Sequence, residues 1–594
     1  MRLQTLVVTT LVLLLSACGS SNPAGSPAGA GTIAADYPGV TNTVPVSPAP
    51  GTSRPGTFYN VYIQGPVTGD KIAFTVFEPA TFTGGQKYPL VLHSHGFSAS
   101  RQTSTPSNPA TGTLSPGSVD QLVAANYGVI SIDERGHGES GGTIRVMDPD
   151  FEGQDLLAVI DWAEAKLDWL AYGPSADGKD PHNLILGSIG GSYGGMYQYL
   201  IHNIDPKHRL DAMVPQISPN DLTYSLFPNS VIKADWDFFL FGAGNTAGNQ
   251  GGSVGHFDPF VTQFFETALP ANQVNQYGHD FFYYHSNAYF CDGLPVATNG
   301  GPGTSPKYPP VRPNDKVNVL FFQGMRDTLF NYSEGYANYQ CLKAQGGDVR
   351  LLSYQSGHNT LQVVPDPGEA LYQPPGDDLQ SNCGHLNVND ATLAFFNQYL
   401  KGMPDAASKL PKQVCLSLSG SDAVLVDQVM TQVSGLEKMA PVPATNVVAG
   451  VADAPMQVDF GITSGANGDV IGGIPHLTVN ITDPTGALAT ASGGDPIIFF
   501  GIGQIRVADP NTVVLPDLVD NQVTPVRGLG MHDLDMTGVS QRLTAGDKLV
   551  LLIYGLEDQY SATGSVNIAH PVVAPLSVSG KVWVPMLGPL PSAP

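Results

Sequence analysis

The chain has 594 residues, which at roughly 100–200 residues per domain allows one large domain and at least one more. Its 27 basic and 51 acidic side chains give a formal net charge of −24, which argues against a nucleic-acid partner because phosphate binding needs clustered Lys and Arg. Hydrophobic residues make up 42% of the chain and exclude wholesale disorder. The 68 glycines and 49 prolines indicate many turns and a large β component.

The first 18 residues have the pattern of an export signal. Arg2 precedes an apolar run, Leu6 to Leu15, that is too short to span a bilayer. The run ends in Leu-Ser-Ala-Cys18, which resembles the bacterial lipoprotein signal, although an ordinary secretory signal remains the alternative. We therefore expect lipidation at Cys18, membrane contact through this anchor only, and a place in the bacterial cell envelope or on the cell surface.

Residues 19–56 are mostly Pro, Gly, Ser, Thr and Ala and predict a flexible linker. Export also changes what the cysteines indicate. In an oxidising compartment we expect two disulfides among the four remaining cysteines, with three pairings open: Cys291, Cys341, Cys383 and Cys415. None belongs to a C-x-x-C pair, so zinc is disfavoured, and we expect no metal and no cofactor.

From residue 57 to 410 strand and helix patterns come in turn, and this region is predicted to be the catalytic domain. The predicted strands are Tyr59–Ile63, Ile72–Phe77, Pro89–His93, Tyr127–Asp133, Asn183–Leu186, Met213–Ile217, Val317–Phe322 and Val349–Tyr354. The predicted helices are Gly153–Lys166, Tyr193–His202 and Ala391–Leu400. This alternation predicts the α/β class, with a mostly parallel sheet covered on both faces.

Two further regions differ in character. Residues 222–310 interrupt the alternation and are rich in aromatics, which favours a helical cap over a pocket; a helical subdomain with its own small core is the alternative. From 411 to 594 short Val, Ile and Leu runs are spaced by turn residues. Strands at His476–Ile481, Pro496–Phe500 and Lys548–Tyr554 predict a β-sandwich or jelly-roll domain.

The strongest chemical signal is the glycine-rich segment from Gly190 to Gly195. It contains G-x-S-x-G between a predicted strand and a predicted helix, the context of a nucleophile elbow. In this turn the flanking glycines relieve crowding around an exposed hydroxyl. We therefore predict Ser192 as the nucleophile and set aside Ser188, which lacks the leading glycine.

A serine hydroxyl needs a base, and that base needs an orienting carboxylate. In a fold with this elbow the order along the chain is Ser, acid, His, each after a strand. Asp327 follows the strand Val317–Phe322, and His358 follows the strand Val349–Tyr354. We predict these as acid and base, with His385 as the alternative base.

The oxyanion of a tetrahedral intermediate needs two backbone N–H donors. We predict that these come from Tyr193, directly after the nucleophile, and from Phe97, in the loop after the strand Pro89–His93. We expect His95 to order this loop rather than to act in catalysis. The polar segment from Asp133 to Ser140 follows a different strand and is expected to be a structural turn.

The elbow at Gly190–Gly195, the loop at Asp133–Gly142, the placement of Asp327 and His358, and the trailing β region together resemble the Xaa-Pro dipeptidyl-peptidase and cocaine-esterase family of α/β-hydrolases. The segment Leu529–Tyr554 is similar to that family's C-terminal jelly-roll domain. The resemblance covers roughly residues 57–594. It implies a serine hydrolase, with aminopeptidases releasing X-Pro dipeptides, carboxylesterases and acylases among the members.

Some members of that family place a tyrosine hydroxyl in the oxyanion hole, whereas this chain has His95-Gly96-Phe97 at that loop, as general esterases do. This difference favours ester or broad acyl hydrolysis of a small-molecule substrate. The alternatives are an Xaa-Pro dipeptidyl-peptidase and, outside enzymes, a non-catalytic surface lipoprotein that binds through its β domain. The sequence leaves the substrate and the oligomeric state open.

Overall fold

A computed structural model gives the structure of the protein. The residues it describes are 33–106, 117–247, 257–313, 315–358, 380–381, 383, 386–419, 422–432, 437–451, 454–489, 495–507, 516–560 and 572–593. The predicted export signal and Cys18 lie outside these residues.

The strands of the first part are β1 (Ser53–Pro55), β2 (Phe58–Gln64), β3 (Lys71–Phe77), β4 (Thr81–Thr83), β5 (Leu90–Ser94), β6 (Gly128–Ile132), β7 (Tyr172–Gly173), β8 (Asn183–Leu184), β9 (Leu186–Gly191), β10 (Leu210–Gln216), β11 (Asn318–Gly324), β12 (Val349–Tyr354), β13 (Gln380–Ser381), β14 (Leu386–Asn387), β15 (Val414–Ser417) and β16 (Ala423–Val426). The α-helices are α1 (Ser118–Ala124), α2 (Glu152–Lys166), α3 (Tyr193–Ile204), α4 (Leu222–Leu226), α5 (Ala234–Gly244), α6 (Pro259–Ala271), α7 (Gln276–Tyr284), α8 (Asn287–Asp292), α9 (Tyr332–Lys343) and α10 (Val388–Tyr399).

One ten-stranded sheet organises this part, in the order β16-β15-β12-β11-β10-β9-β5-β6-β3-β2. Neighbouring strands run parallel from β15 to β6, and antiparallel pairs occur only at the two edges. Alternate residues of β5 face opposite cores: Leu90 and Leu92 pack with α2, α3 and α9, whereas Val91 packs with α1 and α10. The predicted α/β class is confirmed.

The strand before the elbow differs from the predicted Asn183–Leu186. Asn183 and Leu184 form β8, which pairs with β7, and the sheet strand is β9, which runs through the glycines up to Gly191. The hydrophobic pattern did not predict β9, because four of its six residues are Gly or Ser rather than apolar. Close packing requires such small residues. A Cβ on Gly187 would lie 2.6 Å from a methyl carbon of Leu400.

The described part of the predicted linker, residues 33–56, is attached to the catalytic domain. The Tyr37 N–H donates to the Tyr62 carbonyl at 3.1 Å, and β1 pairs with β4. Arg54 also forms an ion pair at 2.6 Å with Glu78, and the Glu78 side chain is 1% exposed. These contacts differ from the expected flexible spacer, because backbone hydrogen bonds and an ion pair, together with the packing of Ala34 and Val44 on the core, hold the segment.

The cap lies between β10 and β11 and contains α4 to α8. A disulfide between Cys291, in α8, and Cys341, in α9, joins it to the catalytic domain. The second disulfide joins Cys383 and Cys415, the latter in β15. Of the three pairings that the sequence allowed, the structure therefore has this one.

The predicted domain boundary at 410/411 falls before the catalytic sheet ends. β15 is a buried four-residue strand that lies parallel to β12, and β16 pairs antiparallel with β15. The boundary therefore lies after Val426. A short strand of Val, Cys, Leu and Ser is compatible with the catalytic sheet and with the C-terminal β domain, so its composition could not assign it to either one.

The C-terminal domain contains β17 (Lys438–Ala449), β18 (Met456–Thr463), β19 (Asp469–Gly473), β20 (His476–Thr482), β21 (Ile497–Ile505), β22 (Asp517–Leu518), β23 (Thr524–Arg527), β24 (Gly530–Asp535), β25 (Val539–Leu543), β26 (Lys548–Tyr554), β27 (Ala574–Val584) and β28 (Met586–Gly588). A four-stranded sheet, a five-stranded sheet and a three-stranded sheet make up the domain. Its apolar core, which includes Val479, Ile502 and Leu551, is separate from the core of the large sheet. Across the described residues, no helix is both long and apolar enough to cross a membrane.

Candidate active site

The turn between β9 and α3 gives Ser192 an unusual backbone conformation. β9 ends at Gly191 and α3 begins at Tyr193, so Ser192 alone forms the turn. Its φ of 57° and ψ of −121° lie in a region that residues with a Cβ rarely adopt, which stores strain in the backbone. The Ser192 N–H donates to the Gln216 carbonyl at 2.9 Å and fixes the turn against β10.

Two glycines allow this turn to approach β5. A Cβ on Gly190 would lie 2.8 Å from the Ser94 carbonyl oxygen, and a Cβ on Gly194 would lie 2.6 Å from the same oxygen. Neither distance leaves room for a side chain. The glycines two residues before and after Ser192 are therefore required by close packing, as a nucleophile elbow predicts.

The structure brings Ser192, His358 and Asp327 together. His358 Nε2 lies 2.9 Å from Ser192 Oγ, and His358 Nδ1 lies 2.6 Å from Asp327 Oδ2. An ionised carboxylate only accepts hydrogen bonds, so Nδ1 carries the proton and Nε2 is left to accept from the serine hydroxyl. This arrangement can remove the serine proton as Oγ attacks an electrophilic carbon.

Asp327 is fully buried, and its loop holds it in place. Its Oδ1 accepts the N–H groups of Leu329 at 2.9 Å and Phe330 at 2.7 Å. A Cβ on Gly357 would lie 2.5 Å from Asp327 Cβ, so a glycine before His358 is needed for the two loops to meet.

The loop that carries His358 is tied to the acid loop. The His358 carbonyl accepts from Thr328 twice, from its N–H at 3.2 Å and from its Oγ1 at 2.9 Å. Trp236 Nε1 donates to Thr328 Oγ1 at 3.1 Å, and the rings of Trp236 and Phe330 pack edge-on against the imidazole. His385, the alternative base, lies outside the described residues.

A side chain of the C-terminal domain also supports the acid loop. Gln522 follows the 3₁₀ turn Val519–Asn521, and its Nε2 donates to the carbonyls of Met325 at 3.1 Å and Asp327 at 3.0 Å. Gln522 is 4% exposed, so these bonds are shielded from water. The β domain therefore touches the residues that position Asp327.

The cap supports the same loop from another direction. Lys233 directly precedes α5, and its Nζ donates to the carbonyls of Thr328 at 2.9 Å and Leu329 at 3.1 Å. The ammonium is buried, and desolvation lowers the pKa of Lys233 to about 8. Both bonds hold carbonyls of the turn that also donates N–H groups to Asp327.

The two predicted oxyanion donors flank Ser192. Tyr193 is the first residue of α3, so its N–H has no acceptor within the helix. Phe97 lies in the loop after β5, and its ring is 5.3 Å from the Tyr193 ring, centroid to centroid. Both residues and Ser192 line one cavity. Their role as oxyanion donors stays a prediction.

His95 orders the loop that carries Phe97. Its Nε2 accepts the N–H of Glu134 at 3.1 Å, which leaves Nδ1 to donate to the Gly96 carbonyl at 2.8 Å. Burial lowers the pKa of His95 and favours this neutral form. The structural role expected for His95 therefore agrees with its contacts.

The segment from Asp133 to Ser140 is a turn held by internal bonds. The Asp133 carboxylate forms an ion pair with buried Arg101 and accepts the Arg101 N–H at 2.6 Å and the Glu139 N–H at 2.9 Å. Ser140 Oγ donates to the Asp133 carbonyl at 2.7 Å. These bonds assign the polar residues to the structure of the turn.

Glu134, in the same turn, is a buried acid beside the oxyanion loop. Its Oε1 accepts from Ser94 Oγ at 2.7 Å. Desolvation raises the pKa of Glu134 to about 8, so its carboxyl is protonated near neutral pH.

The cavity beside Ser192 is small and mostly apolar. Its volume is about 60 Å³, well below the roughly 300–1,000 Å³ of sites that enclose a drug-sized ligand. The cap supplies much of the wall, including Leu226, Leu240, Val261 and Phe282. The position of the cap over this cavity agrees with the predicted role of residues 222–310.

Lys233, Asp237 and Gln522 are the site residues that sequence reasoning missed. Asp237 lines the cavity. A signal for the first two exists, because Lys233 and Asp237 are charged residues four apart within an aromatic-rich run. Gln522 carries no local signal, since its partners are far away in sequence. In the part of the chain that is described, no group of three His, Cys, Asp or Glu side chains is arranged to hold a metal ion.

Comparison with protein families and curated proteins gives one family and one short match. Residues 68–253 match the family described as X-Pro dipeptidyl-peptidase (S15 family). Over 81 residues, or 14% of the chain, the sequence is 32% identical to an Escherichia coli protein described as an uncharacterized 31.7 kDa protein in the traX-finO intergenic region. The match covers 25% of the length of that relative.

Several solved structures have a similar fold over most of their length. A CocE/NonD family hydrolase from Staphylococcus aureus is 12% identical, with a TM-score of 0.55 and coverage of 92% of this chain and 99% of that one. An α-amino acid ester hydrolase is 14% identical, with a TM-score of 0.56 and coverage of 92% and 98%. An aminopeptidase from a marine sediment Thaumarchaeota archaeon is 14% identical, with a TM-score of 0.55 and coverage of 89% and 96%. At these identities the similarity concerns the fold.

We expect Gln522→Leu to loosen the acid loop. The substitution removes the donor to two buried carbonyls, a loss of about 1–2 kcal/mol. The amides of Leu329 and Phe330 should then exchange with solvent on the order of tenfold faster in hydrogen-exchange mass spectrometry. Gln504→Leu is the matched control, because Gln504 is equally buried but donates to Asp547 within the β domain. Equal amide exchange rates in native protein and Gln522→Leu would contradict the claim that Gln522 stabilises the acid loop.

We expect Glu134→Gln to change how stability depends on pH. The folded-state pKa of about 8 lies above the usual value of 4.5, so the folded protein binds one more proton than the unfolded chain between these values. The stability contributed by Glu134 is therefore complete below about pH 4.5 and lost as pH rises through 8. Thermal unfolding should give similar midpoints for native protein and Glu134→Gln at pH 5, and a lower midpoint for native protein at pH 9. A constant difference across this range would refute the raised pKa.

Proposed function

We propose that this chain is a serine hydrolase of the Xaa-Pro dipeptidyl-peptidase and CocE/NonD family and that it cleaves carboxylic esters through a covalent acyl-enzyme. The observation that carries the proposal is the chain of hydrogen bonds from Ser192 Oγ through His358 to Asp327, at 2.9 and 2.6 Å. It lies beside a small apolar cavity.

In the first half of the reaction Ser192 Oγ attacks the substrate carbonyl while His358 Nε2 takes its proton. Asp327 stabilises the imidazolium through Nδ1. The negative oxygen of the tetrahedral intermediate accepts the N–H groups of Tyr193 and Phe97. The intermediate then loses the alcohol, which leaves with the proton from Nε2, and the acyl group stays on Ser192.

In the second half a water molecule replaces the alcohol. His358 takes a proton from the water as its oxygen attacks the acyl carbon, and returns it to Ser192 Oγ as the acid departs. One ester and one water give one acid and one alcohol. The buried acid loop keeps the imidazole in one orientation through both halves.

The size of the cavity favours esters over dipeptidyl substrates. A volume of about 60 Å³ accommodates an acyl group of a few non-hydrogen atoms, whereas an X-Pro dipeptidyl group is far larger. The second candidate function, Xaa-Pro dipeptidyl-peptidase, is favoured by the family match over residues 68–253. The two activities differ in acyl group and leaving group, so a substrate pair separates them.

We expect purified protein to hydrolyse p-nitrophenyl acetate and butyrate and to leave Gly-Pro p-nitroanilide uncleaved. Ser192→Ala should lower kcat by at least about 10⁴-fold, since the acyl-enzyme can no longer form. The matched control is Ser188→Ala, which removes the hydroxyl of a buried serine of β9, four residues before Ser192, that donates to Gln198 Oε1 at 3.1 Å. Cleavage of the anilide alone would make the chain a peptidase, and full activity in Ser192→Ala would remove Ser192 from the mechanism.

We also propose that the protein is exported and anchored by lipid at Cys18. The support is the apolar run Leu6–Leu15 before the Leu-Ser-Ala-Cys18 pattern, together with two disulfides, which persist in oxidising compartments. Acyl chains bury methylene groups in a leaflet and need no transmembrane helix.

Cys18→Ser tests the anchor. We expect the native protein to be in the membrane fraction of expressing bacteria and to incorporate radiolabelled palmitate. The variant should incorporate none and should leave the membrane fraction. Esterase activity of the variant serves as the control for folding. Equal palmitate labelling of both proteins would contradict lipidation at this cysteine.

A further inference from the structure

The cavity beside Ser192 contains one acidic side chain among its described lining residues. Phe, Leu, Val and Met side chains make up most of the remaining wall. The exception is Asp237 of α5, which the cap places in the same cavity as Ser192. An acid in an apolar wall of this size requires a physical explanation.

One carboxyl oxygen of Asp237, Oδ1, has no hydrogen-bond partner in the described part of the chain. The residue is 5% exposed, and its Oδ1 is buried without a hydrogen bond. Lys233, one helical turn earlier, directs its Nζ to the carbonyls of Thr328 and Leu329. A buried polar atom without a partner costs free energy, and the cost is recovered when a ligand supplies the missing hydrogen bond.

We propose that Asp237 is a specificity-determining residue that hydrogen-bonds a hydroxyl group on the acyl part of the substrate. The inference rests on the proposed function and names its substrate class as esters of short hydroxy acids. The volume of about 60 Å³ suits a short acyl group, and Asp237 lines the same cavity as Ser192, so a hydroxyl bound by Asp237 would belong to the acyl group held at Ser192.

The chemistry of the carboxyl selects a neutral partner. Burial raises the pKa of Asp237 well above its usual value, while the charge of Lys233 lowers it; burial thus favours the protonated carboxyl, which donates one hydrogen bond and accepts another. A hydroxyl needs one acceptor and offers acceptor sites in return. The two groups therefore satisfy each other without introducing a charge.

An ammonium group is a poorer match for this cavity. It would bring three donors to a wall in which Asp237 is the one ionisable acid among the described residues, and it would lose its water shell. The positive charge of Lys233 also acts on the same carboxyl and would repel a second cation. A site for a free amine would need additional acceptors.

Three p-nitrophenyl esters with the same carbon skeleton test the proposal: butyrate, 3-hydroxybutyrate and 3-aminobutyrate. In native protein we expect kcat/KM for the 3-hydroxybutyrate to exceed that for butyrate by at least tenfold. Asp237→Leu, similar in size but apolar, should bring the ratio to about one. Asp237→Asn should keep most of the preference, because an uncharged amide also donates and accepts. The spontaneous hydrolysis rate of each ester is subtracted.

Three results would overturn the proposal. The first is an equal kcat/KM for butyrate and 3-hydroxybutyrate in native protein. The second is a preference that survives in Asp237→Leu. The third is a preference for 3-aminobutyrate that disappears in Asp237→Asn, which would assign the carboxylate to a cation. If Asp237→Leu does not fold, the first and third results, which need only native protein and Asp237→Asn, still test the proposal. Failure of the proposed esterase function would look different from failure of the role of Asp237, because none of the three esters would then be hydrolysed.

Discussion

The contact between His358 Nε2 and Ser192 Oγ, at 2.9 Å, joins residues that are 166 positions apart, and the neighbouring turns and loops hold both residues in place. A serine hydroxyl is a weak nucleophile unless its base is aligned, and an imidazole on a loop has many orientations. Two constraints remove that freedom. The strained turn at Ser192 fixes the hydroxyl, and the bond from Nδ1 to Asp327 fixes the ring. The alignment of His358 with Ser192 therefore depends on a rigid acid loop.

That loop is supported from both other parts of the molecule. Lys233 of the cap and Gln522 of the β domain each donate to two of its backbone carbonyls. Removing either part would leave buried carbonyls without donors directly beside Asp327. The β domain is therefore part of the support for the proposed catalytic residues, and the cap both lines the cavity and supports the loop of Asp327. This shared dependence gives a physical reason for the three parts to fold together.

The sequence predicted what local patterns encode. Ser192 and His358 were placed because each follows a buried strand in a known order. The attachment of residues 33–56 was missed because hydrogen bonds and ion pairs, rather than apolar periodicity, hold the segment. The strand Val414–Ser417 was assigned to the wrong sheet because strands of both domains have the same composition. Gln522 could not be found, since only the folded chain brings it to the acid loop.

The most direct test of the central claim is the site of covalent modification by a fluorophosphonate, which reacts with serines that an aligned base has activated. After reaction and proteolysis, peptide mass spectrometry should locate one adduct, on Ser192, and His358→Ala should lower the rate of labelling by several orders of magnitude. Labelling of another serine, or an unchanged rate in His358→Ala, would contradict the proposed triad.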